Sequence, residues 1–475
     1  MPVRRLWLFL AAASVAVLLV PASASAAPRM YVGFHDDPNF RYGANRATAL
    51  TQARAANATV VRTLVTWASV APRRPRNAVN PFDRAYRFDD LDEFVRNAQQ
   101  RGMEVLITLW GTPRWANGGR TANYPPTRAT DFRNFARAVA TRYNGRRAGF
   151  PFVKFYSIWN ESNHQLFLAP QFDARGRPIG PRNYARIASA AYAGIKAGNP
   201  RALVALGSTA SHGRDRPLKG RSATISPGNF ARLVAAANPR IRFDAWAHHP
   251  YPTPQNLKPT QRVKWPNVTL SSLPRFKTSL DQWFKRKGIR LWLTEYGYET
   301  KEDGERKGVS RAQQAAYANQ VLRIARNDPR IDMFIWFVFR DNPSSLWQSG
   351  LLTRTGRVKP ALSRFRSMAR VVDARNALVR VRGGTNSPSV TIPLREYGQG
   401  TAAGETVAFN FRVLQRGRLV TQGQKNAPFG IDAASRIRLT GFRPVKGRTY
   451  TVNVEASVFS GGGLVIKRKL TVIGI

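Results

Sequence analysis

The sequence predicts an α/β fold: a (β/α)8 TIM barrel followed by a small C-terminal β-sandwich domain. Two observations carry this expectation. Short apolar runs alternate with stretches of helical period, strand then helix, over roughly the first three-quarters of the chain. Near residue 375 the helical period stops, and short alternating runs broken by Gly, Pro and Asn take over.

Taken in order, the barrel strands are expected at 30–35, 59–65, 104–110, 152–159, 202–208, 243–248, 290–295 and 332–337. Between them, helical periodicity runs through 91–101, 131–143, 184–197, 229–237, 273–287 and 311–327. An open doubly wound sheet would alternate in the same way. It would normally place a glycine-rich phosphate turn after its first strand, and Gly33-Phe34-His35-Asp36 is no such turn. In the C-terminal part, strands are expected at 407–414, 449–456 and 464–472 among others. About 100 residues with roughly seven strands fit an immunoglobulin-like sandwich. No internal repeat or long low-complexity linker is present, so a barrel over 27–374 and a sandwich over 375–475 are expected to pack directly.

The N-terminus reads as an export signal. Arg4 and Arg5 precede an apolar run from 6 to 20, and Ala24-Ser25-Ala26 supplies the small residues of a cleavage site. The run is shorter than the roughly 20 apolar residues of a membrane-spanning helix. A signal peptide over 1–26 and a secreted mature chain follow as expectations, with a retained anchor as the competing reading. No later segment is apolar enough to span a membrane.

The chain has 475 residues and no Cys, which excludes thiol nucleophiles and Cys-ligated zinc. A chain this long buries enough apolar surface to fold without disulfides. The charge is extreme, with 75 Lys and Arg against 27 Asp and Glu for a formal +48. Such a field attracts nucleic acid, anionic lipid or acidic polysaccharide. The basic residues are spread along the whole chain, though, which favours a solvated basic surface near anionic cell-wall polymers over specific nucleic-acid binding. A monomer is expected.

Two segments carry chemistry. In 155–163, Phe155-Tyr156-Ser157-Ile158-Trp159-Asn160-Glu161-Ser162-Asn163, an apolar strand ends in an amide and a carboxylate. In 291–297, Leu291-Trp292-Leu293-Thr294-Glu295-Tyr296-Gly297, a second strand ends in Glu. One strand-end Glu alone could simply face water. Two of them, three strands apart on the rim where barrel enzymes place their groups, fit a catalytic pair. Cleaving a glycosidic bond needs such a pair, one carboxyl to protonate the leaving oxygen and one to attack the sugar or activate water.

On these residues the chain resembles clan A glycoside hydrolases, with families 5 and 39 closest, over roughly 30–370. Ser162 stands where Asn-Glu-Pro is commoner. The resemblance implies that Glu161 is the general acid/base, Glu295 the nucleophile, and Asn160 the partner of the 2-hydroxyl of the reacting sugar. It implies that Arg62 binds Glu295, that His249 and Tyr251 sit at the end of strand 6 with Tyr251 donating to the nucleophile, and that Trp336 floors the reactive subsite. For Arg62 a salt bridge elsewhere, and for Trp336 barrel packing, are the competing readings. Trp110 and Trp67 are candidate sugar platforms, and His35, Asp36 and Asn163 candidate contacts to substrate.

His164, His248 and His249 could all reach this rim, but His248 and His249 are adjacent on a strand and point to opposite faces. With no third ligand spaced to join them, no metal is expected, and no cofactor. The implied function is secreted, retaining hydrolysis of an oligosaccharide or polysaccharide, with transglycosylation as a variant. Two other classes compete: a catalytically silent glycan-binding or cell-surface protein on the same barrel, and a polyanion-binding surface protein. The first has no need of paired carboxylates, and the second makes no use of them. The C-terminal domain shows no catalytic constellation and no cluster of Trp or Tyr, which favours a packing role.

Overall fold

The computed structural model describes residues 30–303, 308–342, 347–373, 378–393, 406–428, 434–458 and 464–475. The signal-peptide assignment and the expected domain boundary at 374/375 lie outside the described residues.

Eight parallel strands close in sequence order: β1 Tyr31–His35, β2 Val60–Thr66, β3 Glu104–Trp110, β4 Phe155–Ile158, β5 Leu203–Ala210, β6 Ala245–His249, β7 Arg290–Tyr296 and β8 Ile331–Phe337. Strand β8 pairs with β1 over Tyr31–Met333 to His35–Phe337, and this closes the barrel. All eight coincide with strands expected from the sequence. The one expected at 152–159 is trimmed at both ends to β4: Phe152 forms an isolated antiparallel bridge with Asn144 before the ladder starts, and after Ile158 the chain leaves it at Trp159.

The outer helices form where apolar residues recur on one face. In Asp89–Gln100, Leu91, Phe94, Val95 and Ala98 are buried, an i, i+3, i+4, i+7 stripe facing the barrel. Asp89, Asp90 and Asp92 sit in its first turn, where the helix dipole favours negative charge. The helix Arg311–Asn327 opens with a capping box between Ser310 and Gln313. Among the described residues, no helix is long and apolar enough to cross a membrane.

Strand period divides the barrel into an inside and an outside. Tyr31, Val60, Leu106, Phe155, Ala205, Ala245, Ala247, Trp292, Met333 and Ile335 point inward and form one apolar cluster. Tyr31, Phe155 and Trp292 stack edge-on there, with ring centres 4.8 and 5.3 Å apart. Two residues further along the strands the interior turns polar, with Arg62, Thr108, Ser157, His249 and Thr294 all buried. The intervening residues, such as Phe334 and Trp336 on β8, face outward into the larger core beneath the helices.

The C-terminal residues form β9 Leu378–Val381, β10 Ser389–Pro393, β11 Thr406–Gln415, β12 Arg418–Pro428, β13 Ala434–Arg438, β14 Thr449–Val458 and β15 Leu464–Gly474. Five of them make a mixed sheet in the order β12-β11-β14-β15-β9, and β10 pairs with β13. Val390 and Ile437 from the small sheet share a core with Phe409, Phe411 and Val452 from the large one, which makes the unit sandwich-like. Arg416 and Gly417 link β11 to β12 with φ of 47° and 80°, the left-handed pair of a tight hairpin turn.

Candidate active site

A cavity of about 510 Å³ opens at the C-terminal end of the strands, lined among others by His35, Asn160, Glu161, Tyr251, Glu295 and Phe337. Glu161 follows β4 in a strained segment. Trp159 and Glu161 have φ of 69° and 36°, a left-handed conformation that costs a non-glycine residue energy and must be held by its surroundings. Ser162 supplies one clamp, its buried hydroxyl donating to the Gly207 carbonyl on β5 at 2.7 Å. Asn163 supplies another: its Nδ2 donates to the Ile225 carbonyl at 2.8 Å, and its Oδ1 accepts from the Ala210 N–H at 2.8 Å.

Glu295 reaches the cavity through an irregularity in β7. Leu293 and Tyr296 face the outer core, whereas strict alternation would send Glu295 outward with Leu293. The β7–β8 register shifts between Leu293 and Tyr296, so Thr294 and Glu295 both turn inward, as a bulge allows.

The two carboxylates meet different company. Arg62 Nη1 donates to Glu295 Oε1, and the Tyr251 hydroxyl donates to Oε2 at 3.1 Å. Burial pushes the Glu295 carboxyl up. The charges of His249 and Arg62 and a hydrogen bond from His35 outweigh it and hold the group well below the usual carboxylate range. Burial beside Glu295 pushes the Tyr251 phenol well above its ordinary value, so it stays a donor. Glu161 is the more open of the pair, with its side chain 19 % exposed against 10 % for Glu295. Its protein partner is His249, whose Nδ1 lies 3.2 Å from Glu161 Oε1 and 3.7 Å from Glu295 Oε2.

Arg62 ties the site together. Its Nε donates to Thr108 at 2.9 Å, its Nη2 to Asn160 Oδ1 at 2.7 Å, and its Nη1 approaches His35 Nδ1 at 3.0 Å. Because the Asn160 oxygen is taken by Arg62, its Nδ2 remains as a donor beside the cavity. Thr108 continues the network to Ser157 at 2.7 Å.

Of the residues expected from the sequence, the cavity therefore gathers Glu161, Glu295, Asn160, His35 and Tyr251 on its wall, with Arg62 and His249 directly behind them. Others are corrected. Trp336 does not floor the cavity: it faces outward, buried, with its indole N–H on the Ser349 carbonyl at 2.9 Å. Phe337, next along the strand, lines the cavity in its place and packs 5.2 Å from His35. Trp110 packs edge-on against Phe167 at 5.7 Å and is absent from the cavity wall. Trp67 is buried and stacks on Phe135 at 5.3 Å. The polar atoms of the Asn163 side chain are spent on backbone, so it is a brace and not a substrate contact.

Asp36 caps the helix Asp37–Phe40 and accepts from the Arg340 N–H at 2.9 Å, joining the loops after β1 and β8. His248 and His249 point to opposite faces, as their adjacency on a strand requires; His248 is the one turned from the cavity, its ring on Thr209 and the Val268 carbonyl, and burial lowers it to about 3. The absence of a third ligand near the histidines is also corrected. Nitrogen or oxygen atoms of Glu161, His249 and Glu295 all lie within 4.8 Å of one another, close enough to form a ligand set. The Arg62 charge and the Tyr251 donor already occupy Glu295 there, which weighs against a cation.

Trp347, His212, Arg214, Thr253 and Gln255 also line the cavity, although no strand-end motif marks them. Trp347, which packs edge-on at 5.1 Å from Tyr251, had one visible signal: an aromatic residue in a rim loop otherwise rich in small polar residues.

The cellulase (glycosyl hydrolase family 5) profile matches residues 31–340, the whole barrel and both glutamates. The chain belongs to glycosyl hydrolase family 5. It is a glycoside hydrolase of clan A. Among curated proteins, none matches it significantly. The fold of this family 5 protein is similar to a family 39 glycoside hydrolase from the gut symbiont Bacteroides cellulosilyticus, at 18 % identity and a TM-score of 0.53, covering 85 % of this chain and 80 % of that one. It is also similar to a glucosidase from Croceicoccus marinus, at 11 % identity and a TM-score of 0.54, covering 88 % and 94 %. A third similar structure is GH5_18 from Streptomyces cattleya in complex with GlcNAc, at 16 % identity and a TM-score of 0.53, covering 80 % and 87 %.

Proposed function

We propose that this family 5 protein is a secreted, retaining glycoside hydrolase in which Glu295 is the nucleophile and Glu161 the acid/base. The observation that carries the reading is the spacing of the pair: a carboxylate oxygen of each lies within 4.8 Å of the other. Double displacement uses carboxyl groups about 5–5.5 Å apart, whereas inversion needs roughly 6.5–9.5 Å to admit a water.

The unequal surroundings assign the roles. A nucleophile must be ionised, and Glu295 is held so by the Arg62 and His249 charges. An acid/base must exchange protons with the leaving group and then with water, and Glu161 is the more exposed of the two. In the first step a Glu295 oxygen bonds the anomeric carbon, the glycosidic C–O bond breaks, and the Glu161 proton passes to the departing oxygen. In the second, Glu161 takes a proton from water, the water oxygen bonds the anomeric carbon, and the Glu295 ester bond breaks. The Asn160 amide donates to the 2-hydroxyl as positive charge develops on the ring.

The test is the anomeric configuration of the first-formed sugar, followed by proton NMR before mutarotation. Retention supports the reading, and initial release of the inverted anomer overturns it. Export rests on the segment 1–26, and an intact mass beginning at Ala27 in the culture medium would support it.

A further inference from the structure

The cavity is chemically uneven about the catalytic pair. Beyond Glu161 its wall carries His164, Phe167, Ser211, His212, Arg214 and Thr224, all from the loops that follow β4 and β5. A chain of contacts places the Arg214 main chain on this flank. The Glu161 carbonyl accepts from the His164 N–H at 2.8 Å, His164 bridges to Thr224, and Thr224 Oγ1 accepts from the Arg214 N–H at 3.1 Å.

The Arg214 guanidinium forms no ion pair with any described residue, although it is the one Arg or Lys among the described lining residues. Its neighbour Asp215 is committed elsewhere, with its carboxylate accepting from the Ser226 N–H at 2.8 Å and from the Ser226 hydroxyl at 2.7 Å. The only carboxylates on the described wall are Glu161 and Glu295, and both face the reacting centre. Burial and the Arg214 charge lower both His164 and His212, although Glu161 and Asp215 oppose this, so at neutral pH they add hydrogen-bonding capacity and not charge.

We propose that Arg214 selects a carboxylate-bearing leaving group, flanked by the imidazoles of His164 and His212, so that the preferred substrate is an acidic glycoside. The inference rests on Glu161 being the acid/base, because the oxygen it protonates belongs to the leaving group and so places that group on this flank. A planar guanidinium without a protein partner matches a carboxylate through paired hydrogen bonds. The formal +48 of the chain acts in the same sense, concentrating anionic substrate around the cavity mouth.

The shared chemistry has two sources, a uronate sugar or a carboxylated aromatic aglycone, and two arms separate them. The first uses aryl glycosides of one sugar whose aglycone bears either a free carboxylate or its methyl ester. The second uses a uronate-containing oligosaccharide and its carboxyl-reduced counterpart. In each arm kcat/KM is measured for the wild type, Arg214→Gln and Arg214→Lys. The readout is the acidic-to-neutral ratio in the wild type divided by that ratio in the variant, which cancels intrinsic reactivity and any general loss of folded enzyme.

A charged hydrogen-bonded pair predicts a double ratio of about 10- to 100-fold for Arg214→Gln in at least one arm, smaller for Arg214→Lys and falling as salt rises. The arm with the larger value identifies the source. Hydrolysis of the neutral substrates with a double ratio near one in both arms overturns the role of Arg214 alone. No hydrolysis of any glycoside by the folded wild type overturns the catalytic reading beneath it.

Discussion

Arg62 and Glu295 meet inside the barrel, the guanidinium donating to the carboxylate with the Arg62 side chain fully buried. A cation reaches this depth only because Glu295, Asn160 and Thr108 all accept from it. Arg62→Met should therefore strand a buried carboxylate and cost about 3–5 kcal/mol of stability. Adding Glu295→Gln to that variant should recover part of the loss, because the unpaired charge is gone. Denaturant midpoints for the two single variants and the double variant measure the coupling. A double variant less stable than the sum of its parts would place the stabilising role of Arg62 elsewhere.

Phe337 and Trp336 are adjacent on β8 and should fail in different ways. Trp336→Ala empties part of the outer core and should cost about 3–5 kcal/mol, read as a lower denaturant midpoint. Phe337→Ala removes cavity wall instead, so kcat/KM should fall at least tenfold with a smaller change in stability. The opposite pattern would return the floor of the reactive subsite to Trp336.

The depressed pKa of Glu295 sets a sign for pH. Its folded value lies below the 4.5 of the free group, so its ionised form contributes stability above about 4.5 that is lost as pH falls through the folded value. The stability gap between wild type and Glu295→Gln should accordingly be constant near neutral pH and shrink only below pH 4.5. The acid limb of kcat/KM should also fall below 4.5, since attack needs the ionised carboxylate. An acid limb near 6 would mean that Glu295 is not held ionised by Arg62 and His249.

Much of this site was legible because strand period and strand ends are written in the residues themselves. An apolar run ending in Asn160-Glu161, and another ending in Glu295, marked the rim directly. The same period read with parity separates Trp336 from Phe337: Met333 and Ile335 point inward, so Phe337 does too, and Trp336 cannot. Glu295 obeys no such parity, because a register shift re-aims it, and a bulge leaves no mark in composition. Trp67 and Trp110 are no sugar platforms because tertiary packing, which no local pattern reveals, covers both: Phe135 of the helix Ala129–Arg142 stacks on Trp67, and Phe167 in the loop after β4 packs on Trp110. Arg214 was invisible for another reason. Among 75 basic residues nothing local distinguishes the one whose loop is tied through Thr224 to the flank of Glu161.

The roles proposed for Glu161 and Glu295 should also separate chemically. Glu295→Ala removes the atom that bonds the anomeric carbon, so no glycosyl-enzyme forms and turnover should fall by several orders of magnitude. Glu161→Ala removes proton transfer alone. A dinitrophenyl glycoside needs little protonation, so its first step should survive and the glycosyl-enzyme should accumulate, visible as a mass shift on Glu295. Added azide should then restore turnover, because an anionic nucleophile needs no general base and fits the space vacated on the Glu161 side. Two successive inversions give a glycosyl azide with the configuration of the substrate. The inverted azide from Glu161→Ala would mean that azide attacked the substrate directly. Glu295 would then not be the covalent nucleophile, and the assignment of both residues would fall.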